Sequence, residues 1–331
     1  LRRRSGVAPT RSPWTTPTGS TYDSGDYPGL VDRAARAADW AGAPARRRAA
    51  EARGRLHGIG CALFVEVAGG RAAPPSGALL RLDGSGRPLC AAAFVAGKGA
   101  GQSHEVTLPR LVAEALGCAP AQVELRESAS DVPLVGSGTF GSRSPAAMGT
   151  ALIDAAGTAR RALLAVAADA FGRPVERLDV ADGVVVDDGE AVAPLAGVVA
   201  TAVQGGGVLE VRGWAPRFRT VPSGCHVAEV KIDRDTGAVT LVGYTAVDDS
   251  ARVVDHAVPR AEDVPAITVA DAGMPSPANP LGAKGVGEAG TTGAPAAAAN
   301  AVMDAVRSAD AGPPDMPFGP ARVWAALQGD R

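Results

Sequence analysis

Residues 279–290 read NPLGAKGVGEAG, four glycines around one lysine and one glutamate, with a formal G-x-G-x-x-G at Gly285, Gly287 and Gly290. Two readings of this stretch lead to two different folds. A dinucleotide loop should leave a buried strand of a parallel sheet, open a helix and carry an acidic residue about 20 residues further on. The residues before it are DAGMPSPANPL (271–281), whose three prolines argue against a central strand. The acids at a fitting distance, Asp304 and Asp310, fall inside or just after a helical stretch. A phosphate loop of the Walker kind fails too: in AGKGAG (96–101) Lys98 follows a glycine but has no Ser or Thr behind it. The other reading, a backbone mount that presents the carboxylate of Glu288, stays open on the residues alone.

Outward from this loop, strands and helices alternate irregularly. Residues 1–55 are rich in Pro, Thr, Ser and Arg and then turn helical, with Leu30, Ala34, Ala37 and Trp40 at helical spacing. Three strand-like runs follow, GIGCALFVEVA (58–68), GALLRLDGSG (77–86) and PLCAAAFVAG (88–97), with DGSG (83–86) as a hairpin turn. SHEVTLPRLVAEALG (103–117) predicts a helix with Ser103 as N-cap and Gly117 as its stop, beginning or kinking late because of Pro109. A strand leads into DVPLVGSGTFGSRS (131–144), and an alanine-rich helix runs from Pro145 to about Phe171. Hairpins turn at Asp182-Gly183 and at DRDTG (233–237). A helix is predicted from Ala294 to about Arg307, and a short one in GPARVWAAL (319–327). Hairpins in both halves favour an α+β fold, mixed sheets with antiparallel hairpins packed by helices, over a doubly wound parallel sheet. The expected organisation is an opening segment with a helix at 1–55, a first subdomain at 56–209 and a second at 210–331 that carries the Glu288 loop.

Composition narrows the function classes. A 331-residue chain with 46% hydrophobic residues can bury a sizeable core. Lys+Arg of 33 against Asp+Glu of 35 gives a net charge of -2, which leaves no basic footprint for nucleic acid. The four cysteines, Cys61, Cys90, Cys118 and Cys225, lie far apart with no C-x-x-C, so neither a zinc site nor an iron-sulfur cluster fits them. They read as buried free thiols of a reducing, cytoplasmic compartment. Of the four histidines, His57, His226 and His256 read as surface or strand residues and not as metal ligands. No apolar stretch is long enough to span a bilayer, and the chain opens without a secretory leader.

Three loops share one design. GKGAGQSHEVT (97–107), GSGTFGSRS (136–144) and GAKGVGEAG (282–290) each place glycines with hydroxyls or charged groups shortly before a predicted helix. Free N–H groups at a helix start, with the positive end of the helix dipole behind them, suit an anion such as a phosphate. Any one of these glycines is also explained as a tight turn. Three such loops together point to an extended phosphate-bearing ligand held largely by backbone.

Several strings, in order, resemble one family. GQSHEVT (101–107), VPLVGSGTFGSRS (132–144), HVAEVKIDRDTGAVTL (226–241) and NPLGAKGVGEAGTTGAPAAAANAV (279–302) are similar to the second cofactor-binding half of the molybdenum-containing large subunit of the xanthine dehydrogenase, aldehyde oxidase and aerobic carbon monoxide dehydrogenase family. TTPTGSTYDSGDYPGLVDRA (15–34) and DMPFGPARVWAAL (315–327) match the same family, so the resemblance covers nearly the whole chain. It implies molybdopterin cytosine dinucleotide as cofactor and oxidative hydroxylation of an aldehyde, a heterocycle or carbon monoxide with water-derived oxygen. It also implies an iron-sulfur subunit and an FAD subunit as partners, because electrons leaving molybdenum have no acceptor within this chain.

The resemblance assigns residues as well. Gly101, Gln102, Ser103, His104 and Thr107 would contact the pterin and phosphate side of the cofactor, with Ser103 standing where the family has glycine. Thr139, Phe140, Gly141, Ser142, Arg143 and Ser144 would grip the dinucleotide, and Lys284, Gly285, Val286 and Gly287 would bring further backbone to it. Glu288 would be the general base beside the metal, which makes the opening stretch a carboxylate mount. Two departures accompany the match: the family's first cofactor-binding half is expected to precede Leu1, and TAVDDSARVVDHAVPRAEDVP (245–265) joins stretches that relatives separate, near 254–256. The alternative is therefore a non-catalytic truncated remnant that keeps the fold as an interaction or scaffold piece.

Overall fold

Glycines at alternate positions of one strand set the packing of the first part of the molecule. In the computed structural model, which describes residues 2–69, 74–85, 89–127, 129–252 and 267–329, the strand Arg55–Val65 pairs antiparallel with Ser223–Asp233. That strand pairs antiparallel with Val239–Asp249, which pairs parallel with Ile267–Asp271. Side chains alternate across a strand. Gly58, Gly60 and Ala62 therefore face the helix Ala289–Arg307, while Ile59, Cys61 and Leu63 face the helix Tyr27–Ala37. A Cβ on Gly60 would lie 2.2 Å from the amide nitrogen of Ala301, and one on Gly58 2.1 Å from its carbonyl oxygen. Only glycine lets this alanine-rich helix lie so close to the sheet. On the opposite face Leu30 and Ala34 are buried, and a side chain such as Leu30 contributes about 1.5–3 kcal/mol by its burial.

This sheet and its helices belong to one compact unit, Leu1–Ala68, Thr220–Pro277 and Lys284–Arg331; a second unit comprises Gly69–Arg219 and Ala278–Ala283. The boundaries expected at 55/56 and 209/210 do not coincide with these units. The reason is strand pairing: Arg55–Val65 joins Ser223–Asp233, and Val208–Ala215 joins Ser76–Asp83.

In the second unit the sheet order is Val208–Ala215, Ser76–Asp83, Ala91–Val95, Val123–Glu127, antiparallel except for the last, parallel pair. The helix His104–Leu116 makes the crossover between the parallel strands. Pro109, the sixth residue of the helix, lies inside it without delaying its start, at the loss of the bond its N–H would have made to the Glu105 carbonyl. Gly117 closes it in the left-handed conformation, as the sequence implied. The helix Thr150–Phe171, preceded by the π-turn Pro145–Gly149, packs on Val208–Ala215, where a Cβ on Gly213 would meet the carbonyl oxygen of Ala151 at 2.2 Å. A three-stranded meander, Leu178–Ala181, Val184–Asp187 and Glu190–Pro194, turns first at Asp182 and Gly183, both with positive φ, the two-residue turn that Asp-Gly predicts.

The α+β class expected from the hairpins is thus the class observed, with mixed sheets and helices packed on them. Two local readings differ. The helix expected from Ala294 begins at Ala289, because Gly293, a weak helix former, admits the ring of His226 at a place where a Cβ would lie 2.4 Å from Nδ1. Trp40 lies beyond the helix that ends at Ala37, in a turn shaped by Asp39, and both Ala37 and Trp40 are exposed. The join near 254–256 and His256 lie outside the described residues.

Candidate functional site

Two of the three glycine loops meet within the second unit. The loop after Ala91–Val95 runs against GSGTFGSRS, with glycine on each side of the contact. A Cβ on Gly97 would lie 2.8 Å from Oγ1 of Thr139, and one on Gly136 2.5 Å from Cβ of Ala96. In the first loop Gly101 and Ser103 have φ of 94° and 57°. Ser103 is the N-cap position of the following helix, but its side chain makes no capping bond; its carbonyl accepts from Val106 N, Thr107 N and the Thr107 hydroxyl. Gln102 is exposed and its side-chain oxygen accepts from Ala100 N. His104 is buried, with Nδ1 3.2 Å from Oε1 of Glu127, which also accepts from Gly99 N at 2.8 Å. The Glu127 carboxylate is thereby turned onto the loop's own donors.

The second loop has left-handed φ at Gly138, Gly141 and Ser142 (83°, 57° and 51°), and a Cβ on either glycine would meet nothing within 4 Å. Runs of backbone that mix right- and left-handed residues turn N–H groups toward one concave face, a known anion-binding geometry. Thr139 places Oγ1 in a buried position with no partner. Ser144 is buried where the helical turn Pro145–Gly149 begins.

Arg143 is 3% exposed. Its guanidinium donates to Ser137 Oγ, to the Pro74 carbonyl at 3.4 Å and to Ser76 Oγ at 3.5 Å, while Nε is buried without a partner. Phe140, 58% exposed, lies with its ring centroid 5.4 Å from the guanidinium carbon. Among the described residues no carboxylate pairs with Arg143. Burial therefore acts unopposed and pulls its pKa below the usual arginine value.

The third loop, which belongs to the first unit from Lys284 onward, is built differently. The side chain of Lys284 is buried and donates to Asp249 Oδ2 at 2.7 Å and to the Ser24 carbonyl at 3.2 Å. Asp249 Oδ1 accepts from Met274 N at 2.9 Å, and the Lys284 amide donates to Ser250 O at 3.0 Å. Burial pushes the Asp249 carboxyl up, against the opposing pull of the Lys284 ammonium. From this anchor Gly285 is buried, Val286 half-buried, and Gly287 and Glu288 exposed. Glu288 is the N-cap of Ala289–Arg307; its side chain makes no capping bond, while its carbonyl accepts from Thr292 N and the Thr292 hydroxyl. No strand runs directly into this loop, since Ile267–Asp271 ends well before it, so the Rossmann reading of the glycines fails on topology.

The sequence reading missed Glu127, Asp249 and Ser24, which fix the loops from elsewhere in the chain. Ser137 was within reach of it, lying inside the quoted GSGTFGSRS. Among the described residues no group of three or more His, Cys, Asp or Glu side chains is placed to hold a metal ion.

The family described as molybdopterin cofactor-binding domain matches residues 33–261. The chain is 24% identical to the nicotine 6-hydroxylase large subunit of Paenarthrobacter nicotinovorans, over 99% of this chain and 47% of that one. It is 26% identical to the carbon monoxide dehydrogenase large chain of Hydrogenophaga pseudoflava, over 99% of this chain and 48% of that one. Among solved structures, quinoline 2-oxidoreductase of Pseudomonas putida 86 superposes with a TM-score of 0.87 at 25% identity, covering 99% of this chain and 49% of that one. The chain spans about half the length of the relatives it matches, and its alignment to the Hydrogenophaga chain, at 391 positions, is longer than its own 331 residues. The resemblance carried by the loop motifs thus holds across the fold: this chain belongs to the molybdopterin cofactor-binding domain family.

Proposed function

We propose that the chain is the second cofactor-binding half of a molybdenum hydroxylase large subunit, holding a molybdopterin cofactor by its phosphates. The observation that carries this reading is the GSGTFGSRS loop: a buried guanidinium without a carboxylate, an unpartnered Thr139 hydroxyl and open left-handed glycines, all at the start of a long helix. A buried charge is costly unless paired. An anionic phosphate group is the missing partner that this donor set fits, and the pyrophosphate of molybdopterin cytosine dinucleotide supplies one.

In this reading Thr139, Gly141, Ser142, Arg143 and Ser144 hold the dinucleotide, and Gly101, Gln102, Ser103, His104 and Thr107 meet the pterin and phosphate side. Lys284 acts through its backbone and its anchor to Asp249, so that Gly285, Val286 and Gly287 approach the cofactor while Glu288 is presented beyond them. When bound, the molybdenum group supplies two-electron oxidation and a water-derived oxygen. Glu288 would serve as the general base of that chemistry toward an aldehyde, a heterocycle or carbon monoxide; a positioned base of this kind contributes roughly 10²–10⁴ in rate.

The chain works with the first cofactor-binding half, an iron-sulfur subunit and an FAD subunit, in the cytoplasm. The names of its relatives, large chains and subunits of oxidising enzymes, support this arrangement. Among the described residues no helix is long and apolar enough to cross a membrane. The alternative, a non-catalytic remnant, draws on the half-length coverage and the overlong alignment.

Metal analysis and artificial-dye reduction decide between them. The chain alone, made in a host that synthesises the cofactor, should retain little molybdenum, and combined with its complementary half it should gain molybdenum and reduce dye. A completed assembly that holds no molybdenum overturns the reading and favours the remnant.

A further inference from the structure

Cys61 and Cys225 lie on the paired strands Arg55–Val65 and Ser223–Asp233, on the face covered by Tyr27–Ala37. The register sets Cys61 opposite Val227 and Cys225 opposite Leu63, which makes the cysteines diagonal neighbours. Neither is in a disulfide. Both line a cavity of about 240 Å³ that is also bordered by Arg2, Arg3, Val31 and Trp40. The expectation of four buried thiols is met only by Cys225; Cys61 and Cys118 are half-buried and Cys90 is exposed.

The two sulfurs are not equivalent. The neighbouring Cys225 thiol, with the nearby charge of Arg2, draws the Cys61 thiol below its ordinary pKa against the effect of burial, while the Cys61 neighbour and burial push the Cys225 thiol up. Of the two sulfurs that line the cavity, Cys61 is half-buried and Cys225 is buried, so Cys61 is the more accessible. An accessible low-pKa thiol beside a second cysteine is the arrangement of a reactive and a resolving cysteine.

We propose that Cys61 and Cys225 form an oxidation site for small hydroperoxides, with Cys61 attacking and Cys225 resolving. The Cys61 sulfur attacks one oxygen of hydrogen peroxide, the O–O bond breaks, and hydroxide leaves and takes up a proton as water. Cys61 is then a sulfenic acid. The Cys225 sulfur attacks that of Cys61, the S–O bond breaks, and a second water leaves with the Cys225 proton. Two thiols are oxidised by two electrons and one peroxide is reduced to two waters. Diagonal positions hold Cβ atoms farther apart than a relaxed bridge prefers, so a dithiol reductant should restore the pair readily. The site stands independently of the cofactor reading.

The test treats the full chain with one equivalent of hydrogen peroxide and maps its cysteines by non-reducing peptide mass spectrometry. The expected product is a Cys61–Cys225 bridge formed before Cys90 or Cys118 is modified, and Cys225→Ala should instead accumulate a Cys61 sulfenic acid captured by dimedone. On the unaltered protein, alkylation at neutral pH should be roughly tenfold faster at Cys61 than at Cys118, a readout that stands if Cys225→Ala fails to fold. Oxidation of Cys90 first, with Cys61 and Cys225 still open to alkylation after peroxide, overturns the proposal.

Discussion

Arg143 and Lys284 are both buried cations in glycine loops that lead into long alanine-rich helices, at 3% and 4% exposure. Their surroundings differ in kind. Lys284 has a buried carboxylate at 2.7 Å, so its charge is neutralised inside the fold. Arg143 is met by hydroxyl and carbonyl oxygens, with its Nε left over. The first arrangement is what a structural anchor needs, and the second is what a site for an external anion needs, since only an arriving ligand completes it. In the proposed reading these two glycine-rich loops have different tasks, one fixing the path of the backbone before Glu288, the other leaving a donor set open.

The comparison breaks first, and hardest, at Lys284. Lys284→Met strands Asp249 in the interior, and removing one partner of a buried pair costs about 3–5 kcal/mol. Without the ammonium the raised Asp249 pKa rises further. A carboxyl whose folded pKa lies above its unfolded value contributes stability that is present at low pH and lost as pH rises through the folded pKa. The deficit of the variant should therefore grow from acid toward neutral pH in denaturant titrations, and a deficit independent of pH counts against the ion pair. Replacing both partners, Lys284→Met with Asp249→Leu, should recover most of the loss, as apolar substitution of whole buried pairs often does.

Next in size is Glu288. In a large subunit completed by its other half, Glu288→Gln should keep the cofactor, because the amide is nearly isosteric and the anchor lies at Lys284, yet lower turnover by roughly 10² or more. Measuring molybdenum and turnover on one preparation separates this from a structural role, which predicts lost metal with unchanged turnover per metal.

What the sequence could and could not disclose follows the same division. The GSGTFGSRS loop and the hairpin at Asp182-Gly183 were legible because left-handed backbone selects glycine and short polar residues locally. The long helices were legible from alanine content, and the family from strings of these local signals. Asp249 and Glu127 were not, since they reach Lys284 and His104 across 35 and 23 residues through strand register. The same non-local pairing moved the unit boundaries away from the expected ones. Gly293 hid the true start of its helix because its reason for being glycine, the ring of His226, belongs to a distant strand.

The smallest expected effect is the most direct test, because it asks whether Arg143 awaits an anion. Arg143→Leu removes a buried, unpaired charge and should change the melting temperature of the ligand-free protein little. At constant ionic strength, pyrophosphate should raise the melting temperature of the unaltered chain; a ligand at tenfold its Kd stabilises by about 1.4 kcal/mol. The account predicts that Arg143→Leu abolishes this rise while Lys284→Met, compared at a pH where it is folded, retains it. An equal response to pyrophosphate in the unaltered chain and in Arg143→Leu would contradict it.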